Sequence, residues 1–320
     1  MPPDILALSR MQIERFFKRN GLSVTQEQCD AEAQRWTTQP VTATPSQGGT
    51  SYTVEGGSHL VVQFRLPTST LDINLLRSIE QAYDGFVPRH EYRGQLDQLS
   101  IYTMNNLGGR CLYLARDELL ANDSLLRVTL DDYARFFVSA FSKTPILIER
   151  PNSIDLSNKY LSQLQQLRVE LPSRFHAILD DLMPQVSDLF VEDWPLVPNH
   201  TDLLENNIHV DPVTGQITGI CDWREAEISP FGMSLGGLEI MLGFPVKGDE
   251  VWRYRPNHKS LRQYFWGRFY HYLGDASDQQ KRRIETARLV GLFRTYALEY
   301  GKPATEQSPD LRILGALILQ

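Results

Sequence analysis

His200-Thr201-Asp202-Leu203-Leu204-Glu205-Asn206-Asn207-Ile208 is followed, after eight intervening residues, by Ile217-Thr218-Gly219-Ile220-Cys221-Asp222-Trp223. The two stretches carry a loop carboxylate, Asp202, a carboxamide five residues on, Asn207, and a carboxylate at a strand end, Asp222. The alternation of Ile208 and Val210, the turn residues Asp211-Pro212-Val213-Thr214-Gly215 and the return through Ile217 to Ile220 predict a β-hairpin. Such a hairpin folds Asp222 back toward Asn207 and Asp202. Phosphoryl transfer needs this grouping: a base orients the attacking hydroxyl, and an amide oxygen with a second carboxylate holds Mg²⁺ against the phosphates. The same acids also fit a simpler role, since Asp202 with Glu205 and Asp222 with Glu225 read as helix N-caps with an acid at the third position.

From Asn199 to Ala226 the pattern resembles the catalytic segment of the aminoglycoside phosphotransferase and choline kinase group, with its H-G-D-x-x-x-x-N and D-W or D-F pair. Thr201 stands where that group has glycine. The resemblance implies an α+β, bilobal protein-kinase-like fold with a small β-rich N-lobe and a larger, mainly helical C-lobe. It implies Asp202 as catalytic base, Asn207 and Asp222 as Mg²⁺ ligands with Asn207 also catalytic, and His200 as a brace for the loop. ATP and Mg²⁺ are the implied cofactors, and a small hydroxylated molecule the implied partner.

The N-terminal half is consistent with this. Gly48-Gly49-Thr50-Ser51 is a modest glycine loop, in which Gly48 and Gly49 let backbone approach phosphate and Ser51 offers a hydroxyl. Val62-Gln63-Phe64-Arg65 occupies the place of V-A-I-K, with arginine instead of lysine, as in choline-kinase-like enzymes. Arginine can hold phosphate oxygens bidentately. Glu80 on the next helix is its expected partner, with Glu91 a weaker rival. Backbone groups of Thr103, Met104 and Asn105 are expected to meet adenine.

Composition narrows the alternatives. A net charge of −7, from 39 acids and 32 bases, gives no basic field for nucleic acid. Three cysteines, Cys29, Cys111 and Cys221, show neither disulfide nor zinc spacing. No apolar run of membrane-spanning length and no signal-peptide pattern appears, so a cytoplasmic setting is expected. Nothing in the sequence speaks to oligomeric state.

Helices are expected over 4–19 and 25–36, with 37–45 a linker, strands over 51–54, 60–65 and 100–104, and a helix over 71–83. Beyond Leu112 the pattern is mainly helical, including a long helix from Asp278 to Tyr300 stopped by Gly301. The domain reading is an N-terminal helical extension over 1–40, a nucleotide-binding lobe over 41–107 and a helical lobe over 108–320 with the catalytic loop and acceptor site.

Acids and aromatics after the second carboxylate, Glu225, Glu227 and Trp223, suit a cationic hydroxylated acceptor. Two other functions stay open. One is an inactive kinase-fold binding protein. The remote one is a serine hydrolase: Gly232-Met233-Ser234-Leu235-Gly236 matches G-x-S-x-G, with Asp249 or Asp275 and His258 or His271 following. Pro230 and its neighbours argue against the buried strand that such an elbow must follow.

Overall fold

A computed structural model describes residues 3–19, 21–57, 59–143, 150–246 and 252–319. The chain divides into two compact units: residues 1–80 with 84–122 and 205–224, and residues 81–83 with 123–204 and 225–320.

In the first unit, helices α1 (Pro3–Arg19) and α2 (Gln26–Thr37) precede β1 (Val41–Ala43), β2 (Ser51–Gly56) and β3 (Leu60–Arg65). Helix α3 (Ile73–Ala82) leads into β4 (His90–Leu96), β5 (Leu99–Asn105), β6 (Arg110–Cys111) and α4 (Arg116–Ala121). Strands β1 to β5 form one antiparallel sheet in the order β1-β2-β3-β5-β4. Alternation sends Tyr52, Val54, Val62, Phe64, Leu99 and Ile101 to one face, where they pack on Phe16, Cys29 and Ala33 of α1 and α2. Burying such side chains contributes about 1.5–3 kcal/mol each. The opposite face carries Ser51, Gln63 and Arg65, joined by side-chain contacts. Thr25 opens α2 with a reciprocal capping box to Gln28. Both edge strands escape the sequence pattern: β1 lies in the Pro/Thr-rich stretch expected to be a linker, and β4 is polar along most of its length, as exposed edges commonly are.

The second unit contains α5 (Asp123–Ser142), α6 (Ser153–Glu170), α7 (His176–Leu182) and β7 (Leu196–Asn199). The hairpin β8 (Ile208–Val210) and β9 (Ile217–Ile220) belongs to the first unit, where it pairs with β6. The second unit resumes with β10 (Glu227–Pro230), α8 (Glu239–Leu242), β11 (Gly243–Pro245), β12 (Trp252–Tyr254), α9 (His258–Leu273) and α10 (Asp278–Tyr296). It closes with β13 (Leu298–Glu299), β14 (Lys302–Pro303) and α11 (Pro309–Ile318). Its core includes stacked and tilted rings of Tyr133, Phe136, Phe137, Phe265 and Phe269.

Two expectations need correction here. Helix α10 stops at Tyr296, four residues before the expected end, because Tyr300 (φ 51°) and Gly301 (φ 79°) form the left-handed tip of a small hairpin. Residues 227–230 do form a strand, β10, despite Pro230; it pairs only with β7, and the proline sits at the end of that two-stranded ladder.

Candidate active site

The hairpin brings Asn207 beside Asp222. Ile208 pairs with Ile220, and one residue further out Cys221 N donates to Asn207 O at 2.9 Å. Asp222 follows directly, with φ 60°. That left-handed conformation is uncommon outside glycine and costs about 1–3 kcal/mol when a non-glycine residue is forced into it, a strain that clusters at functional positions. The surroundings hold it there. Ile220 N donates to Phe86 O at 2.7 Å, and the Trp223 indole, 2% exposed, donates to Ile220 O at 2.9 Å. At the far end, Asp211 closes the turn by accepting from Val213 N at 2.8 Å and Thr214 Oγ1 at 3.0 Å.

No helix follows Asp202 or Asp222, so neither acid is a helix cap. Glu205 is engaged elsewhere, forming a two-bond pair with Arg116.

The Asp202 loop is built from buried polar side chains of the second unit. His200, 4% exposed, accepts the Asp202 backbone N–H on Nδ1 at 3.1 Å, which places the ring proton on Nε2. Thr201 Oγ1 donates to Glu225 O at 2.9 Å. Asn199, 5% exposed, donates to Ser229 Oγ at 2.9 Å, and its Nδ2 also reaches Ser229 O and Pro230 O at 3.1 Å. Asn199 Oδ1 accepts from Ser234 N at 3.1 Å and Ser234 Oγ at 3.0 Å. Asp202 itself is exposed. Asn199 and Ser234 thus fasten the loop beneath the carboxylate. Sequence reasoning missed this role of Asn199, because a buried amide leaves no periodic signal, and it considered Ser234 only as a hydrolase nucleophile.

Ser234 Oγ also lies 3.1 Å from His200 O. Its partners are carbonyl oxygens and an amide, not a base. His258 Nδ1 is 2.8 Å from Arg255 O, and Asp249 falls outside the described residues. Among the described residues, no histidine ring is hydrogen-bonded to Ser234 Oγ.

In the sheet, register sets Arg65 between Ser51 on β2 and Ser100 on β5. Arg65 is 3% exposed; its Nε donates to Ser69 O at 2.5 Å and its Nη1 to Gln63 Oε1 at 2.7 Å. Ser69 Oγ donates to Thr50 O at 2.8 Å, so one buried serine ties the arginine to the end of the glycine loop. Gly48 and Gly49 are exposed and have no positive φ. Their use lies in open backbone, not in a special turn.

Three nucleotide-site expectations change. Glu80 does not pair with Arg65; its Oε1 accepts His90 N at 2.9 Å, and burial raises its carboxyl pKa. Glu91 pairs with Arg93 at 2.5 Å. Thr103 pairs with Val62 and Glu91, and Met104 with Val61 and His90, so the sheet ladder takes the backbone groups of both. Thr103 Oγ1 accepts from Arg93 Nε at 2.8 Å, and Arg93 lies 5.0 Å over Trp36 of α2. The Thr103 side chain therefore faces the helices, opposite Arg65. A cavity of about 540 Å³ lined by Thr103, Met104 and Asn105 with Arg89 and Thr218 opens at this strand end. Of the three residues, Asn105 alone is at the exposed end of the strand.

On the other unit, a cavity of about 250 Å³ is lined by His200, Thr201, Glu225, Glu227 and Arg294. Glu227 is paired to Arg294 at 2.8 Å and to Lys159 at 3.9 Å. Trp223 is buried and presents no open ring face.

These features define the fold class, and the comparisons agree. The profile of the phosphotransferase enzyme family, APH, matches residues 148–255. The chain superposes on a GDP complex of a mutant aminoglycoside 2′-phosphotransferase-IIIa with a TM-score of 0.51 at 15% identity, covering 87% of this chain and 91% of that one. ADP-bound aminoglycoside phosphotransferase APH(2″)-Ib gives 0.50 at 14% identity, covering 92% and 97%. None of the curated proteins searched matches the sequence. The chain has the α+β, kinase-like fold of the aminoglycoside phosphotransferases, and the resemblance carried by Asn199 to Ala226 holds.

Proposed function

We propose that this protein is a phosphotransferase with an alcohol acceptor, moving the γ-phosphate of Mg²⁺-ATP to a hydroxyl of a small molecule. The observation that carries this is the Asn207–Asp222 pair, fixed by the Cys221 N–H to Asn207 O bond and by the left-handed backbone at Asp222. An amide oxygen beside a carboxylate is a hard-oxygen donor set suited to Mg²⁺. Among the described residues no group of three or more His, Cys, Asp or Glu side chains is placed to hold a metal. A two-residue site fits a cation that completes its shell with phosphates and water.

In this reading Asn207 and Asp222 would hold the metal, which when bound would supply positive charge beside the phosphates. Arg65 and the backbone of Gly48 to Ser51 position the phosphates, and the strand end at Asn105 meets the base. Asp202 accepts the acceptor's proton as its oxygen bonds to the γ-phosphorus. The bond from that phosphorus to the β–γ bridging oxygen breaks, and ADP leaves. Glu225 and Glu227 line the acceptor cavity.

The position of Glu80 supports a second reading, an inactive nucleotide-binding protein, since active protein kinases pair the strand cation with the helix glutamate. Thermal-shift measurements with ATP and GTP, with and without Mg²⁺, followed by a phosphorylation screen on a metabolite extract, separate the two. Metal-dependent stabilisation with a phosphorylated product supports the transferase; stabilisation with no product in any extract supports the binding protein; no nucleotide effect removes both.

A further inference from the structure

We infer that the cavity beside Asp202 is the acceptor site and that it takes a neutral, polyhydroxylated molecule of about the size of a single sugar ring, not a polycation. The inference rests on the phosphotransferase reading and narrows it to a substrate class.

The Glu227 charge on this wall is balanced within the protein. Glu227 Oε2 accepts from Arg294 Nη2 at 2.8 Å, and its Oε1 faces Lys159 at 3.9 Å. Arg294 is itself engaged at each of its other nitrogens: Nε donates to Gln163 Oε1 at 3.2 Å, Nη1 to Tyr160 Oη at 3.4 Å, and the guanidinium stacks 4.5 Å over the Tyr160 ring. A ligand ammonium would have to displace a half-buried arginine, leaving its charge unpaired, and such losses are costly. A ligand anion would find the arginine already committed. Glu225, at the exposed rim, adds one carboxylate. The rest of the lining carries no acid and no lysine or arginine: it includes the hydroxyls of Thr201 and Thr295, the apolar Met233 and Gly291, and the polar side chains of Asn199 and His200. A carboxylate among hydroxyls matches vicinal hydroxyl groups, which donate to the acid and exchange bonds with threonine.

Size points the same way. The cavity, at about 250 Å³, lies below the roughly 300–1,000 Å³ of sites for drug-sized ligands. Gly291 cannot gain a side chain without meeting Met233 O, so the floor is rigidly close-packed. Location fits as well. His200 and Thr201 in the lining immediately precede Asp202, and Tyr296, directly after Thr295, has its phenol raised to about 12 by burial, with the Asp202 charge among the smaller contributors.

The test uses the full chain with Mg²⁺-ATP, after nucleotide binding has been measured separately by calorimetry. Neutral hexoses, pentitols and inositols are compared with hydroxylated polyamines. The expected result is phosphate transfer to at least one neutral polyol and none to the polyamines. Arg294→Gln uncovers Glu227 and is expected to tighten polyamine binding about tenfold or more. Because that variant can misfold, Glu225→Gln at the exposed rim provides an independent arm: KM for the polyol is expected to rise roughly tenfold with KM for ATP unchanged. With nucleotide binding intact, phosphorylation of polyamines in preference to polyols, or of no polyol at all, overturns the inference. Absence of nucleotide binding instead removes the phosphotransferase reading beneath it.

Discussion

Two loops assigned to phosphoryl transfer are built in opposite ways. Residues 199–201 are held by side chains, two of them buried: Asn199 is bonded on both ends of its amide, His200 grips the Asp202 N–H, and the half-buried Thr201 ties to Glu225 O. Gly48 and Gly49 are exposed, and their loop is tethered at its ends, through Gln47 to Thr53 and through Ser69 to Thr50. Under the proposed function the first loop would deliver one carboxylate to a fixed point, which a preorganised support suits. The second would offer backbone to a flexible chain of phosphates, which needs only open space. The contrast says where substitution is tolerated.

The largest effect is expected at the tip of the rigid loop. Asp202→Ala should lower turnover by roughly 10²–10⁴ while leaving Mg²⁺-ATP affinity in place. Steady-state kinetics beside calorimetry check this, and equal loss of binding and turnover would erase the distinction between base and metal ligand.

Next comes the support. Asn199→Ala strips a buried residue of its bonds to Ser229, Pro230 and Ser234 and leaves several groups unpaired, which should cost about 2–4 kcal/mol in chemical denaturation. A cost under about 0.5 kcal/mol, the range of ordinary surface changes, would mean that the loop is not held as described. Ser234→Ala removes only the hydroxyl and keeps the backbone bond to Asn199, so about 1 kcal/mol of stability and less than about tenfold in turnover are expected. Complete loss of activity in a well-folded Ser234→Ala protein would return serine to the chemistry.

The smallest effect belongs to the open loop. A Cβ at Gly49 would meet only Gln12 Oε1 at 3.5 Å, and one at Gly48 only Ser51 Oγ at 3.9 Å, both ordinary contacts. Gly49→Ala should therefore leave melting within about 0.5 kcal/mol of wild type. A larger loss would show that the loop's conformation, not its openness, is what glycine supplies.

The same contrast explains what was legible in the sequence. The hairpin over 208–220 was readable because alternation and an Asp-Pro-x-x-Gly turn state it locally. The central strands were readable from Tyr52, Val54, Val62 and Phe64, which must alternate to meet α1 and α2. Edge strands β1 and β4 were not, since one is three residues long and the other polar. Among the site residues, the hairpin pairing that sets Asn207 opposite Cys221, next to Asp222, follows from the local strand pattern. Partnerships were not legible where they depend on rotamers and neighbours: Glu80 bonds His90 N, Glu227 pairs with Arg294, and Trp223 turns inward to Ile220. Asn199 and Ser69, which fasten the two loops, carry no pattern at all, because a single buried polar residue is defined by what surrounds it in space.

The most direct test of the central claim is calorimetry of ATP binding with Mg²⁺ and with EDTA, on wild type, Asp202→Ala and Asp222→Ala. The account expects wild type and Asp202→Ala to bind ATP only with Mg²⁺, giving about 2.7 kcal/mol of stabilisation at a hundredfold excess over Kd. It expects Asp222→Ala to lose most of that binding in Mg²⁺ while remaining folded. Metal-independent binding in wild type, or undiminished Mg²⁺-ATP binding in Asp222→Ala, would contradict it.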